Sequence, residues 1–467
     1  MQQKWEMINL NRKNHTLDMT TGSIWRNMVS FAVPVFLGQL FQQLYNTADS
    51  IIVGNFSGKG ALAAVASSGN LIFMMTGFFM GLSLGAGVVI SRYFGAKDYE
   101  SVEAAVHTNI AFGAICGVLM SLLGVFLAPL MLVAMHTPAD VLPLSITYFR
   151  LYFLGAFFTL MYNTCMGILQ AVGDSRTPLY YLMFSSVVNV VFDLIFVGPL
   201  QMGVAGAAIA TVISQAVSAT LCFVKLLRST GPERVVFRRI RIDLPMLRQI
   251  TRQGIPSGIQ NSIISIANVF VQSNINAFGS NAMAGCGAYA KVEGFVFLPI
   301  TAFSAAITTF IGQNLGARAH QRARRGARFG ILCAATLAEL LGVVLYFICP
   351  SVIRIFNSDP AVVAIGVSQM RTECFFFCAL AFAHSVSAVM RGAGRARMPM
   401  FTMLGCWCIL RVSYITLAVK AFPVIETIFW AYPITWGVSC VVFLIYYLKA
   451  DWVHSFDREK PSKAFEN

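Results

Sequence analysis

The stretch AVGDSRTP at residues 171–178 returns as GAGRARMP at 392–399, and ISRYFGAKD at 90–98 returns as IGQNLGARA at 311–319, both at an offset of 221 residues. Gly173, Arg176 and Pro178 answer to Gly394, Arg397 and Pro399. Gly95 and Ala96 answer to Gly316 and Ala317, and Arg150 answers to Arg371, with no gap needed between the anchors. The second half of the chain therefore repeats the first. Both halves are strongly apolar, and two similar membrane-embedded lobes are a common frame for a cleft that opens alternately to either side.

Hydrophobic residues make up 57% of the 467 and charged residues only 12%, and apolar runs of about 20 or more residues recur, each long enough to cross a hydrocarbon core. Twelve spans are expected, at 24–53, 61–90, 104–128, 141–168, 178–197, 204–227, 254–278, 282–311, 329–349, 361–390, 398–420 and 427–448. The expected fold is all-α and integral to the membrane, with twelve transmembrane helices in two six-helix repeats. Six is an even number, so the repeats are parallel and related by a pseudo-twofold axis along the membrane normal. The expected segments are a tail at 1–23, a first lobe at 24–228, a basic linker at 229–252, a second lobe at 253–448 and a tail at 449–467. The first 23 residues are polar and mixed in charge, so no cleavable secretory signal is expected.

A net charge of +14 could suggest nucleic acid, but the placement of the 34 Lys and Arg residues argues otherwise. With the N-terminus inside, 27 fall in inside loops and tails, the eight from Lys225 to Arg252 being the largest group. Only Lys59, Arg354 and Lys420 fall outside, and Arg150, Lys291, Arg371 and Arg411 fall within spans. This is the positive-inside asymmetry of a plasma (inner) membrane protein with both termini cytoplasmic. Anionic lipid headgroups are the expected neighbours of the linker; no nucleic acid partner is expected, and a monomer is.

Several apparent motifs read as bland. GLSLG at 81–85 matches a hydrolase nucleophile pattern, but it lies inside a long apolar helix without a preceding strand, where small residues at this spacing let helices pack closely. The eleven cysteines fall in or beside spans and lack partners at metal-site spacing. Asn55-Phe56-Ser57 is a glycosylation sequon of little weight.

Ionisable residues inside the membrane are different, because each costs about 2.5 to 3.5 kcal/mol at mid-helix on insertion scales. Five acids qualify: Asp49, Asp193, Glu293, Glu339 and Glu373. Asp49 and Asp193 each lie about one turn from the outer end of their spans. Asn189 shares the face of Asp193, and Thr211 lies about two turns below the outer end of the sixth span. Two carboxylates, an amide carbonyl and a hydroxyl at similar depth are hard oxygen ligands that suit Na+, and two nearby carboxylates can instead share a proton. The bland alternative is that Asp49 and Asp193 cap or hydrogen-bond neighbouring helices.

The segment PVFLGQLFQQLYNTADSIIVG at 34–54, the NVVFD run at 189–193 and the ISRYFGAKD and IGQNLGARA pair resemble the multidrug and toxic compound extrusion (MATE) family over nearly the whole chain. The resemblance implies two six-helix lobes with a substrate cleft between them, exporting cationic or amphipathic small molecules in exchange for Na+ or H+, with no other cofactor. It maps the family's coupling-ion site onto Asp49, Asn189, Asp193 and Thr211, and its helix-bending proline onto Pro34, where a proline permits a kink. The seventh span lacks the acid that NorM-type members carry, so the chain is more similar to DinF-like members.

Glu293 and Arg411 both fall near mid-membrane in the second lobe and are candidates for a substrate-binding or structural ion pair, with Lys291 and Glu339 as alternative partners. Glu373, Arg371 and Arg150 read as structural. A lipid-linked oligosaccharide flippase could share this frame, although such a cleft needs more basic residues than the four within spans. An enzyme is disfavoured, because no metal-ligand cluster or nucleophile, base and oxyanion set is visible. A passive channel would conduct ions without substrate. At the repeat offset, Asn189, Asp193 and Thr211 fall opposite Leu410, Tyr414 and Tyr432, while Asp49 falls opposite Phe270, or Val271 if Pro34 aligns with Pro256. The ion site is therefore expected in the first lobe alone.

Overall fold

The computed structural model of the chain describes residues 17–134 and 141–456, with some side chains between residues 57 and 74 outside that description. Most of the expected N-terminal tail and the end of the C-terminal tail lie outside the described residues. What is described is helical from end to end: α1 (Ile24–Gly95), α2 (Tyr99–Ala134), α3 (Leu142–Leu154), α4 (Ala156–Ala171), α5 (Arg176–Val197), α6 (Gly203–Arg228), α7 (Leu244–Asn276) and α8 (Ser280–Gly316). Next come α9 (His320–Phe356), α10 (Pro360–Glu373), α11 (Phe377–Gly392), α12 (Arg397–Met403), α13 (Arg411–Ala421) and α14 (Ile425–Lys449). A π-helical run, Leu404–Leu410, joins α12 to α13.

The helices match the expected spans with informative differences. Ten described stretches are long and apolar enough to cross a membrane, and α3 with α4 makes an eleventh, bent by 45° at Gly155. The expected seventh span falls in α7 except for its last two residues; α7 has the length but carries Gln253, Gln260, Asn261, Gln272 and Asn274 along it. The helical backbone of α1 runs through the loop expected after residue 53, so the first two spans, Ile24–Phe56 and Met75–Gly95, belong to one run of helix. That connection holds Gly54, Gly58 and Gly60 but no proline, and glycine weakens a helix where proline would break it.

The repeat extends to backbone details. Lys97 and Arg318 are both left-handed, at φ 57° and 55°, and Gly173 and Gly394 both have positive φ, at 91° and 74°. Each pair is separated by the repeat offset. Gly173 is required for a second reason, since a Cβ there would lie 2.2 Å from the Leu17 carbonyl oxygen. The fourth span of each copy breaks at the same place as well: Gly155 separates α3 from α4, and the short turn Cys374–Phe376 separates α10 from α11.

The chain divides into two compact units. The first holds Leu37–Gly258 together with Leu17 and Asp18, and the second holds Met19–Phe36 and the residues from Ile259 onward. The divisions fall inside α1 and α7, two residues after Pro34 and two residues after Pro256. Each unit thus contains the beginning of a helix whose remainder belongs to the other.

Within the first unit, the start of α7 packs on the late part of α1 through glycines. A Cβ on Gly81 would lie 2.2 Å from the Gly258 nitrogen, and one on Gly85 would lie 2.3 Å from the Gly254 nitrogen. The GLSLG string is therefore a helix-packing seam, as its small residues suggested. The linker after α6 is strapped to α2. Val236 N–H donates to His107 Nε2 at 3.0 Å, His107 Nδ1 lies 2.7 Å from the Glu103 carbonyl oxygen, and Asp243 N–H donates to Thr108 Oγ1 at 3.2 Å. Glu103 also pairs with Arg239, whose pKa this hydrogen bond raises.

Candidate functional site

The site expected in the first lobe is built from three helices of the first unit. α5 starts just after Asp174, which takes the Thr177 N–H at 3.0 Å and the Thr177 hydroxyl at 2.6 Å. It then runs without interruption to Val197, so Asn189 and Asp193, four residues apart, share one face. α6 packs against α5 along its length and presents Thr211. Asp49 comes from the first span, in α1. Asn189 and Asp193 are fully buried, and Asp49 and Thr211 are each 8% exposed.

Three of the four carry buried polar atoms that lack partners. Asp49 Oδ1, both oxygens of Asp193 and both polar atoms of the Asn189 amide are buried without a hydrogen bond. Buried polar groups are normally satisfied, and each exception calls for an explanation such as an ion. Thr211 donates to the Ala207 carbonyl oxygen at 3.0 Å, which leaves the hydroxyl lone pairs for a cation. Asp49 and Asp193 are within electrostatic reach of each other, and Tyr148 on α3 is within reach of both.

Around this polar group the walls are apolar: Ile52, Val53, Tyr148, Val197, Val204 and Ala207 form one buried cluster with Val190 against it. Among the described residues no set of three or more His, Cys, Asp or Glu is arranged for a metal ion. The chemistry on offer is hard oxygen from two carboxylates, one amide and one hydroxyl. That set fits Na+, or a proton on one carboxylate, and does not fit a transition metal.

Three neighbours escaped the sequence reading. Tyr148 is one. The others are Tyr45 and Gln215, joined by a Gln215 Nε2 to Tyr45 hydroxyl hydrogen bond of 3.5 Å, with Gln215 Oε1 unpartnered. Tyr45 lies four residues before Asp49 and Gln215 four residues after Thr211, so helical spacing from the expected site residues points to their faces.

The second unit fills the corresponding positions with apolar and aromatic groups. Val271, Ile275, Ile415 and Phe429 are buried together, with Phe270, Tyr414 and Tyr432 packed against them. Its own polar group lies against this cluster, with Arg411 over Tyr432. Glu373 accepts from the Tyr289 hydroxyl at 2.6 Å and from Gln369 Nε2 at 2.9 Å. Arg411 donates to the Thr435 hydroxyl at 2.9 Å and stacks on Tyr432 and Trp407, at 4.4 and 5.4 Å from the ring centroids. Glu293 lies within electrostatic reach of Arg411 and Glu373.

Three further intramembrane charges have local roles. Glu339 accepts the Cys378 N–H at 3.1 Å, Arg371 lies over Tyr346 and Arg150 donates to the Val125 carbonyl oxygen. Each answers to the chain around the broken fourth span of its copy.

Comparison with known proteins agrees with this architecture. The chain is 28% identical over 435 residues to the probable multidrug resistance protein YoeA of Bacillus subtilis (strain 168), covering 91% of this chain and 94% of that one. It is 27% identical over 400 residues to the probable multidrug resistance protein YpnP of the same organism, covering 86% and 89%. A solved MOP superfamily transporter from Pyrococcus furiosus Vc1 (DSM3638) superposes with a TM-score of 0.89 at 23% identity, covering 95% of this chain and 99% of that one. The MatE family model matches twice, over residues 34–195 and 256–417, each match opening on a proline that precedes a unit boundary. On these two matches and the fold they describe, the chain belongs to the MatE family, the multidrug and toxic compound extrusion transporters.

Proposed function

We propose that the protein exports cationic or amphipathic small molecules from the cytoplasm in exchange for Na+ or H+, by alternating access between its two lobes. It would do so in the plasma membrane with both termini cytoplasmic, as its basic loops suggest. The multidrug names of its relatives support the substrate class. The observation that carries ion coupling is the group of five unpartnered buried atoms on Asp49, Asn189 and Asp193. The apolar filling at the equivalent positions of the second unit supports a single coupling site.

In this reading Asp49 and Asp193 supply the charge that attracts the ion, and Asn189 and Thr211 supply neutral oxygens that hold it. External ion binds when the site faces outward, and its binding favours the state that has released substrate. Coupling needs only that ion and substrate prefer different states. Pro34 is the proposed place where the first span adjusts, because the proline nitrogen cannot hold its helix with a hydrogen bond. Glu293, with Arg411 as its partner, is assigned to contact with cationic substrate in the second lobe; the alternative is a purely structural ion pair. Glu293→Gln would then weaken transport of cations, and unchanged transport of every cation tested would end that role.

The test is efflux from reconstituted vesicles under a Na+ gradient or a pH gradient applied separately. Asp49→Asn and Asp193→Asn should each abolish gradient-driven transport in the gradient that drives the wild type. Undiminished efflux in both variants would refute the assignment.

A further inference from the structure

Arg391 falls in the sequence among the arginines of a cytoplasmic loop, with Arg395 and Arg397 close behind it. In the structure it belongs to α11 and is only 9% exposed. Its Nη1 donates to the Ser387 hydroxyl one turn earlier, so the side chain folds back along the helix toward its N-terminus, as helical side chains do. Nε has no partner, and no carboxylate among the described residues pairs with the guanidinium. A buried charge without a counter-charge is costly, and the Nε edge is the one by which guanidinium takes two oxyanion oxygens side by side.

Three further unpartnered groups lie in the direction the guanidinium points. His384 is seven residues before Arg391 on the same face of α11 and within its electrostatic reach; its Nε2 is buried and unpartnered, as is the Ser385 hydroxyl. The third is the Ser304 hydroxyl on α8. The register of the two helices places it there: Thr308 donates to the Ala388 carbonyl oxygen at 3.3 Å, and a Cβ on Gly392 would meet the Thr308 carbonyl oxygen and Ile311. Residue 304 thus sits level with 384 and 385. Phe297 and Trp407 stand edge-on to His384 at 5.2 and 5.4 Å. The first repeat has Gln170 where the second has Arg391, and Asn163 where it has His384, so the repeated frame does not require this charge.

We propose that Arg391, with His384, Ser385 and Ser304, forms an oxyanion-binding site inside the second unit, taking a carboxylate or phosphate group with Phe297 and Trp407 as walls for an attached apolar body. The site is separate from the acids of the first unit and carries the opposite charge. It admits a carboxylate on an amphipathic substrate, the phosphate of an anionic lipid, or inorganic phosphate.

The test measures ligand-induced shifts in the unfolding midpoint of the full chain in maltoside micelles, which contain no phosphate. The probes are rhodamine B, which carries a free carboxylate, its ethyl ester, which does not, short-chain phosphatidylglycerol, and sodium phosphate against chloride at equal ionic strength. At least one anionic probe should stabilise the wild type and bind Arg391→Gln at least tenfold more weakly, and the probe that does so identifies the source. The ester should bind both proteins alike. If Arg391→Gln does not fold, the Ser304→Ala, Ser385→Ala double variant is held to the same criterion. Equal binding of every anionic probe to wild type and variant would overturn the proposal, as would equal losses for rhodamine B and its ester. No gradient is involved, and Asp49→Asn should bind the anions normally, so failure of ion coupling and failure of this site are read separately.

Discussion

Asp193→Asn should make the protein more stable and transport-dead at once. Asp193 is fully buried and neither carboxylate oxygen has a partner. Leaving such a group unsatisfied costs about 1 to 3 kcal/mol, and more when it is charged. Asparagine keeps the shape and still leaves an unpartnered amide, but it removes the charge, so in Na+-free buffer at alkaline pH the variant should gain the excess that the charge adds, about 1 kcal/mol or more. Saturating ion should reverse the order, because a ligand at one hundred times its Kd stabilises the wild type by about 2.7 kcal/mol and the variant loses that gain. Thermal unfolding followed by tryptophan fluorescence, with and without Na+ and at two pH values, shows whether the curves cross. A structural Asp193 that caps or tethers a helix predicts the opposite sign. A lower midpoint for the variant without ion, or equal ion-induced shifts in both proteins, would refute the reasoning.

Gly85→Leu places a branched side chain where even a Cβ would be 2.3 Å from the backbone of Gly254. The seam must open, and a loss of about 1 to 3 kcal/mol is expected, seen as a lower unfolding midpoint, whereas Gly287→Ala, with nothing within 4 Å of the new methyl, should leave it unchanged or raise it by up to about 1 kcal/mol of helix propensity. His107→Phe removes the acceptor for Val236 N–H and should speed tryptic cleavage of the folded protein at Arg238, Arg239 or Arg241 severalfold.

The membrane fold was legible because lipid leaves so little freedom: long apolar runs must be helices. The acids Asp49 and Asp193 stood out for the same reason, as costly groups in apolar surroundings. Tyr45, Tyr148 and Gln215 did not, since an aromatic or amide residue in such a helix looks like ordinary core until its neighbours are known. Arg391 was hidden in a different way. It sits at a helix end within a basic cluster, where the positive-inside pattern accounts for it completely, and only the backbone shows that the helix extends past it. The breaks at Gly155 and Cys374–Phe376 were also out of reach, since neither stretch contains a proline and the two copies use unrelated residues there.

The exchange of helix beginnings has a consequence for how the chain is made. Met19–Phe36 enters the membrane before any other part of the unit it joins has been synthesised, and it must wait for Ile259 and the residues after it. The first unit cannot close its glycine seam until Leu244–Gly258 emerges. A polypeptide released early, or cut in the linker, therefore holds no complete unit, and its bare seam would mark it for membrane proteases. Two such fragments made together could each lend the missing end to the other, so the protein should be recoverable from a split gene only when both halves are inserted in the same membrane at the same time.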